Sequence, residues 1–122
     1  MSCSSSTADF RPAQYNIQLW RNDSWVQTFA ITAENVPVDL TGSTITIQVR
    51  KTANATAVDL SLSTGGNGIT ISGAGHNQIV LNKVVNIAAG NYLYDMNVTF
   101  PSGVVKTYVW GTFLVQEDIT KI

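Results

Sequence analysis

An all-β fold is what this sequence predicts: an immunoglobulin-like antiparallel β-sandwich of about eight or nine short strands. Three observations predict it. From Tyr15 onward, apolar and polar residues alternate with a period of two along most of the chain. Clusters of Gly, Asn, Asp and Ser break that alternation about every ten residues, the rhythm of a sandwich or barrel. No apolar pattern of helical period runs long enough for an independent helix. A β-barrel is the alternative closure.

The elements follow in order. Residues 1–13 are Ser/Thr-rich and without period, which predicts a flexible arm, and residues 14–122 form a single sandwich domain. Tyr15, Ile17 and Leu19 alternate with Asn16 and Gln18, a first strand ending at Trp20. The polar "RNDS" then turns the chain into "WVQTFAIT", where Trp25, Phe29 and Ile31 share a face, and the two runs read as a hairpin. In "VPVDLTGSTITIQVRK", Val36, Val38 and Leu40 alternate up to a "DLTG" turn, and Ile45, Ile47 and Val49 alternate after it. Pro37 lacks a ladder donor, so its short strand belongs at a sheet edge or start. Gly42 supplies a positive φ, and Asp39 accepts from the backbone just ahead of it.

Val58, Leu60 and Leu62 make another short run, closed by "STGGNG"; Ile69 and Ile71 follow, then "SGAGHNQ", then Ile79 and Leu81. "NKVVNIAAGN" is the one segment resembling a helical turn, and is expected to connect the two sheets. Tyr92, Tyr94, Met96, Val98 and Phe100 alternate strictly and predict a long half-buried strand. "FPSG" has the proline and glycine placement of a type I turn. In the return strand "VVKTYVWGTFLVQE", Val105, Val109, Phe113 and Val115 suit the core, yet Tyr108, Trp110 and Leu114 on the other parity are apolar too. Either Gly111 is a bulge that switches faces, or both faces are covered.

Composition narrows the function. The 122 residues suit one core, and 44% hydrophobic with 12% charged residues is too apolar for a disordered chain. A net charge of -1 without a Lys/Arg run argues against nucleic acid and anionic membrane as partners. The single cysteine, Cys3, allows no intrachain disulfide. The opening "MSCSSSTADF" resembles neither a signal peptide nor a lipidation site, and no apolar run could span a membrane. Synthesis in a cytoplasm is expected, with release by a route such as assembly into a virus particle and lysis.

Candidates for chemistry are few. His76, the single histidine, lies in a Gly/Asn loop without neighbouring ligands, whereas zinc needs three or four. Cys3 has no base beside it to make a thiolate nucleophile. The 8 acidic residues are scattered over turns and outward strand positions, where turn roles explain them better than a catalytic pair. "GGNG" precedes a strand rather than a helix and is a weak phosphate signal. The sequence therefore predicts no enzyme, no metal and no cofactor. Aromatics are the better candidates for binding: Tyr108, Trp110 and Trp20 for a protein interface, with Pro37 marking an edge strand that could join it.

Three segments, in order, carry a family resemblance: "VPVDLTGSTITIQVRK", "GITISGAGHNQIVLN" and "AAGNYLYDMNVTFPSGVVKTYVWGTFLVQEDIT". Together they resemble the small β-domains of tailed-bacteriophage virion proteins, above all the N-terminal domain of baseplate upper proteins and related tail-fibre-associated proteins. The motifs are the "DLTG" turn before a strand, the "G-x-Y-x-Y-D" start of a long strand, and a closing "G-x-F-x-V" followed by "IT". The resemblance implies an immunoglobulin-like sandwich that docks onto a larger assembly and carries no catalytic residues. It implies a structural role in the tail, baseplate, collar or fibre-attachment region of a virion made in a bacterial cytoplasm, with other phage proteins and copies of itself as partners. Capsid decoration is the first alternative. A carbohydrate-binding module for a host surface glycan is the second, and it would need an exposed aromatic flanked by Asn, Asp or Gln.

Overall fold

A computed structural model describes residues 13–120. Residues 1–12, where most of the expected arm falls, and with them Cys3, lie outside the described residues. Ala13, the last residue assigned to the arm, already sits in a strand.

Among the described residues, eleven strands form in chain order: β1 (Ala13–Gln14), β2 (Ile17–Trp20), β3 (Ser24–Ala30), β4 (Thr32–Ala33), β5 (Val36–Pro37), β6 (Thr44–Arg50), β7 (Leu60–Ser63), β8 (Ile69–Ser72), β9 (Gln78–Val84), β10 (Gly90–Thr99) and β11 (Val105–Gln116). The large sheet has the order β1-β11-β10-β6-β7, with β2 continuing along the edge of β11 beyond β1; the small sheet is β3-β9-β8. The pair β4-β5 is a separate hairpin. The sheets are open-ended, so this is the expected sandwich and not the barrel. The division of β3-β9-β8 from β11-β10-β6-β7 is that of an immunoglobulin variable-type domain, whose B, E and D strands face G, F, C and C′.

A second feature of that class appears at the crossing from β9 to β10. Tyr92, buried near the start of β10, donates its hydroxyl to the Ala88 carbonyl at 2.6 Å, four residues upstream. This is a tyrosine corner, which satisfies a phenol taken out of water and fixes the chain's entry into the long strand.

Alternation sets the core. Tyr92, Tyr94, Met96 and Val98 of β10 and Ile45, Ile47 and Val49 of β6 point inward and are buried. From the small sheet Trp25, Ile79 and Leu81 meet them. At the centre, Trp25 sets its ring edgewise on Tyr94 and Phe113, with centroids 5.6 and 5.0 Å away. Each such side chain contributes roughly 1.5–3 kcal/mol by leaving water, and edge-to-face ring pairs add to that.

The "DLTG" turn forms as its residues require. Asp39 Oδ1 accepts from the Thr41 N–H at 2.9 Å, Ser43 N–H donates to the Leu40 carbonyl at 2.9 Å, and Gly42 has φ +76°. "FPSG" closes with Gly103 N–H on the Phe100 carbonyl at 2.8 Å.

Five expectations need correction. β2 and β3 do not form a hairpin: β2 pairs with β11 in one sheet and β3 with β9 in the other, so "RNDS" bridges the sandwich. β1 and β2 run parallel to β11, so the large sheet is not wholly antiparallel. The bulge in the return strand falls at Tyr108, the extra residue between Thr107 and Val109, and not at Gly111. Val105, expected inside, is 58% exposed beyond that bulge. "NKVVNIAAGN" makes no helical turn: its first part is the end of β9, residues 85–89 cross between the sheets as expected, and its last two residues open β10.

Gly111 has a different task. A Cβ on it would collide with the Tyr15 carbonyl oxygen and come 2.9 Å from Asn16 Oδ1. The strand is interrupted at Tyr15–Asn16 between β1 and β2, and this interruption lies directly on Gly111. It is fastened there by Tyr15 N–H to the Trp110 carbonyl at 2.8 Å, Thr112 N–H to Asn16 Oδ1 at 3.1 Å, and the Tyr94 hydroxyl donating to the Tyr15 carbonyl. Burial pushes the Tyr94 pKa upward, which keeps that hydroxyl protonated as the donor this bond needs.

Candidate functional site

Two-residue periodicity that buries one side of the large sheet leaves the other side facing outward. Register then fixes which outward residues become neighbours. Gln48, Asp95 and Trp110 lie in one row across β6, β10 and β11, and Arg50, Leu93 and Thr112 lie in the next. Asn97 sits one row the other way, beside Thr107. Gln48, Arg50, Leu93, Asp95, Asn97 and Trp110, with Thr52 and Ala53 from the loop after β6, line an open groove of about 570 Å³.

The groove has a fixed polar side and an apolar one. Arg50 donates to Gln48 Oε1 at 2.7 Å and to the Ala55 carbonyl, so it holds both a neighbouring side chain and the loop. Thr107 Oγ1 donates to Asn97 Oδ1 at 2.7 Å. Asp95 is half-buried between these groups; burial raises its carboxyl pKa, and Arg50 opposes that rise. No hydrogen bond from the described residues engages the Asp95 carboxylate. Beside it Trp110 is 43% exposed, and Leu93 is also partly open. A half-desolvated acceptor next to an aromatic face can receive a donor and an apolar surface at once.

The four residues singled out from sequence do not share one site. Trp110 is in the groove. Tyr108, at the bulge, is half-buried and packs against the core, with burial raising its pKa. Trp20 is 43% exposed on the same outer side, but it pairs with Gln116, six residues beyond Trp110 along β11, and that separation is roughly 20 Å at the rise of a strand. It borders a smaller depression with Asp23, Asp118 and Ile119. Pro37 is exposed in the β4-β5 hairpin, as an edge position allows, and its ring lies against Gly75 in the loop before β9. Gln48, Arg50, Asp95 and Asn97 were not singled out. Their only sequence signal is outward parity on strands whose pairing had to be known first.

His76 takes a left-handed φ of +52° and contributes through its backbone, its carbonyl accepting from Leu40 N–H at 2.9 Å. Among the described residues, no three His, Cys, Asp or Glu side chains come together as metal ligands would. No helix is long and apolar enough to cross a membrane among the described residues.

No family model matches the chain. No curated protein matches it either. Among solved structures, CopC from Methylosinus trichosporium OB3b is similar at 13% identity and a TM-score of 0.39, over 64% of this chain and 67% of that one. A likeness of that degree carries no argument here.

Proposed function

We propose that this chain is a structural protein of a tailed-phage particle, docking through the outer face of its large sheet in the tail, baseplate, collar or fibre-attachment region. The docking part rests on one observation: Trp110 stands exposed beside the Asp95 carboxylate, which no hydrogen bond from the described residues engages, in a groove where Arg50, Gln48 and Asn97 already bond to neighbours. Exposed aromatics in such settings are typical anchors of protein interfaces. The phage part rests on the resemblance of the three segments quoted above. Co-sedimentation of the purified protein with phage tail preparations is the test. Binding that Trp110→Ala abolishes supports docking through this face; absence of binding, or binding indifferent to Trp110, sinks it. Association with capsids instead of tails in fractionated particles would favour the decoration role.

A second reading has its own support. Gln48, Asp95 and Asn97 flank Trp110, and an aromatic ring edged by amide and carboxylate groups is the arrangement that stacks on a sugar and hydrogen-bonds its hydroxyls. Titration of the monomer with host surface polysaccharide separates the readings, since saturable binding lost in Trp110→Ala belongs to this one.

A further inference from the structure

Among the described residues, four strand edges close the two sheets, and three of them are guarded. On the large sheet, β7 is four residues long, and the opposite edge is split into β1 and β2 by the interruption at Tyr15–Asn16. On the small sheet, β8 is four residues long and is bounded by Gly68 and Gly73, both at positive φ (87° and 91°). The fourth edge, β3, is seven residues, "SWVQTFA", with no proline, no charged residue and no break in its register with β9. Short length, charge, proline and bulges are the devices that stop an edge from pairing. β3 uses none of them.

The phase of its ladder says which groups are available. Ile31 N–H donates to the Asn77 carbonyl and Val85 N–H to the Asp23 carbonyl, one just beyond each end of β3 and both in its register with β9. Hydrogen-bonded pairs alternate in an antiparallel ladder, so Trp25, Gln27 and Phe29 face β9 with their backbone groups. Val26, Thr28 and Ala30 therefore direct N–H and C=O away from the sheet, and no described residue accepts or donates there. Their side chains lie on the small sheet's outer face, where Val26 is 67% and nearby Val84 54% exposed.

We propose that β3 pairs antiparallel with β3 of a second copy, joining two small sheets into one across a two-fold axis. Self-pairing of this kind sets the strand against its own reverse, so a charge near the axis would meet itself; an uncharged strand avoids that cost. The outer face beside it carries the same neutral character: Gln78, Val80, Asn82 and Val84 on β9, Thr70 and Ser72 on β8. The inference goes beyond docking through the large sheet and uses different residues, so either can fail alone.

Sedimentation equilibrium of the full chain over a range of concentrations, with amide hydrogen exchange at Val26, Thr28 and Ala30, tests it. The expected result is a monomer–dimer equilibrium in which those three amides slow as concentration rises. Thr28→Pro removes an outward donor and leaves the ladder to β9 intact, so it should weaken the dimer by at least about tenfold. Thr28→Lys keeps every backbone donor and sets two like charges opposite each other where the strand crosses its copy, so it should also weaken the dimer, which preserves the test if the proline variant does not fold. A protein monomeric at every concentration overturns the proposal, whatever the exchange rates of the three amides. A dimer indifferent to both substitutions overturns it equally.

Discussion

The two sheets are built by the same alternation and bury similar inner faces, yet their outer faces differ in kind. The large sheet shows Arg50, Asp95, Asn97 and Trp110, a mixture of charge, amide and ring set in fixed rows by register. The small sheet shows only neutral, mostly small side chains. Inner-face residues answer to packing, which constrains both sheets alike. Outer-face residues are free of it, so the chemically varied groups on the large sheet are the reason the proposed docking is placed there.

The largest effect should come from the shared interior. Phe113→Ala removes a fully buried ring that touches both Trp25 and Tyr94, and should cost about 3–5 kcal/mol in urea unfolding. A loss under ~1 kcal/mol would mean that the sheets do not share one core. Next comes the edge of the large sheet. Gly111→Ala drives a methyl into Tyr15 and Asn16, which should cost about 1–3 kcal/mol and speed amide exchange at Tyr15 and Thr112 while leaving β3 and β9 protected. Equal loss of protection in both sheets would break the distinction between them.

Trp110→Ala should change stability by no more than ~0.5 kcal/mol, because its ring is partly exposed and outside the core, while abolishing docking. A large loss of stability would make Trp110 a structural residue and remove the contrast between inner and outer faces.

The smallest effects are in pH dependence, and two carboxylates should act in opposite senses. Hydrogen bonds from the Thr41 hydroxyl and N–H, helped by His76, hold Asp39 below its ordinary pKa of 3.8. Its contribution is present above that value and is lost as pH falls through the lowered folded pKa. Asp95 is raised by burial, so the folded chain keeps its proton to higher pH than the unfolded one. Stability therefore declines as pH rises between its unfolded and folded values. Urea midpoints measured from pH 2 to 7 should fall less toward acid in Asp39→Asn, and less toward neutrality in Asp95→Asn, than in the parent. The same sign in both variants would contradict the assigned causes.

Local physics explains which of these features could be read from the sequence. The β10 alternation, the turn at Gly42 and the "FPSG" reversal are each set by a few adjacent residues, and each forms as expected. What a strand pairs with is not local. "RNDS" is short enough for a hairpin, and alternation on either side is identical whether the chain folds back or crosses to the other sheet, so the sequence pattern alone joins β2 to β3. Gly111 drew attention for the right reason, a missing Cβ in a strand, but the atom it makes room for comes from Tyr15, nearly a hundred positions away. The groove was out of reach in the same way. Asp95 and Trp110 become neighbours only through a register that includes the bulge at Tyr108.

Because β1 and β2 run parallel to β11, Ala13 and Gln116 lie toward opposite ends of one ladder. Tension applied between those two points would load the rungs joining β1 and β2 to β11 in shear, together, instead of peeling them singly. The fastening at Tyr15, Asn16 and Gly111 sits midway along that stretch. Whatever the domain is tied to, the arrangement is suited to bearing a mechanical pull along its long axis.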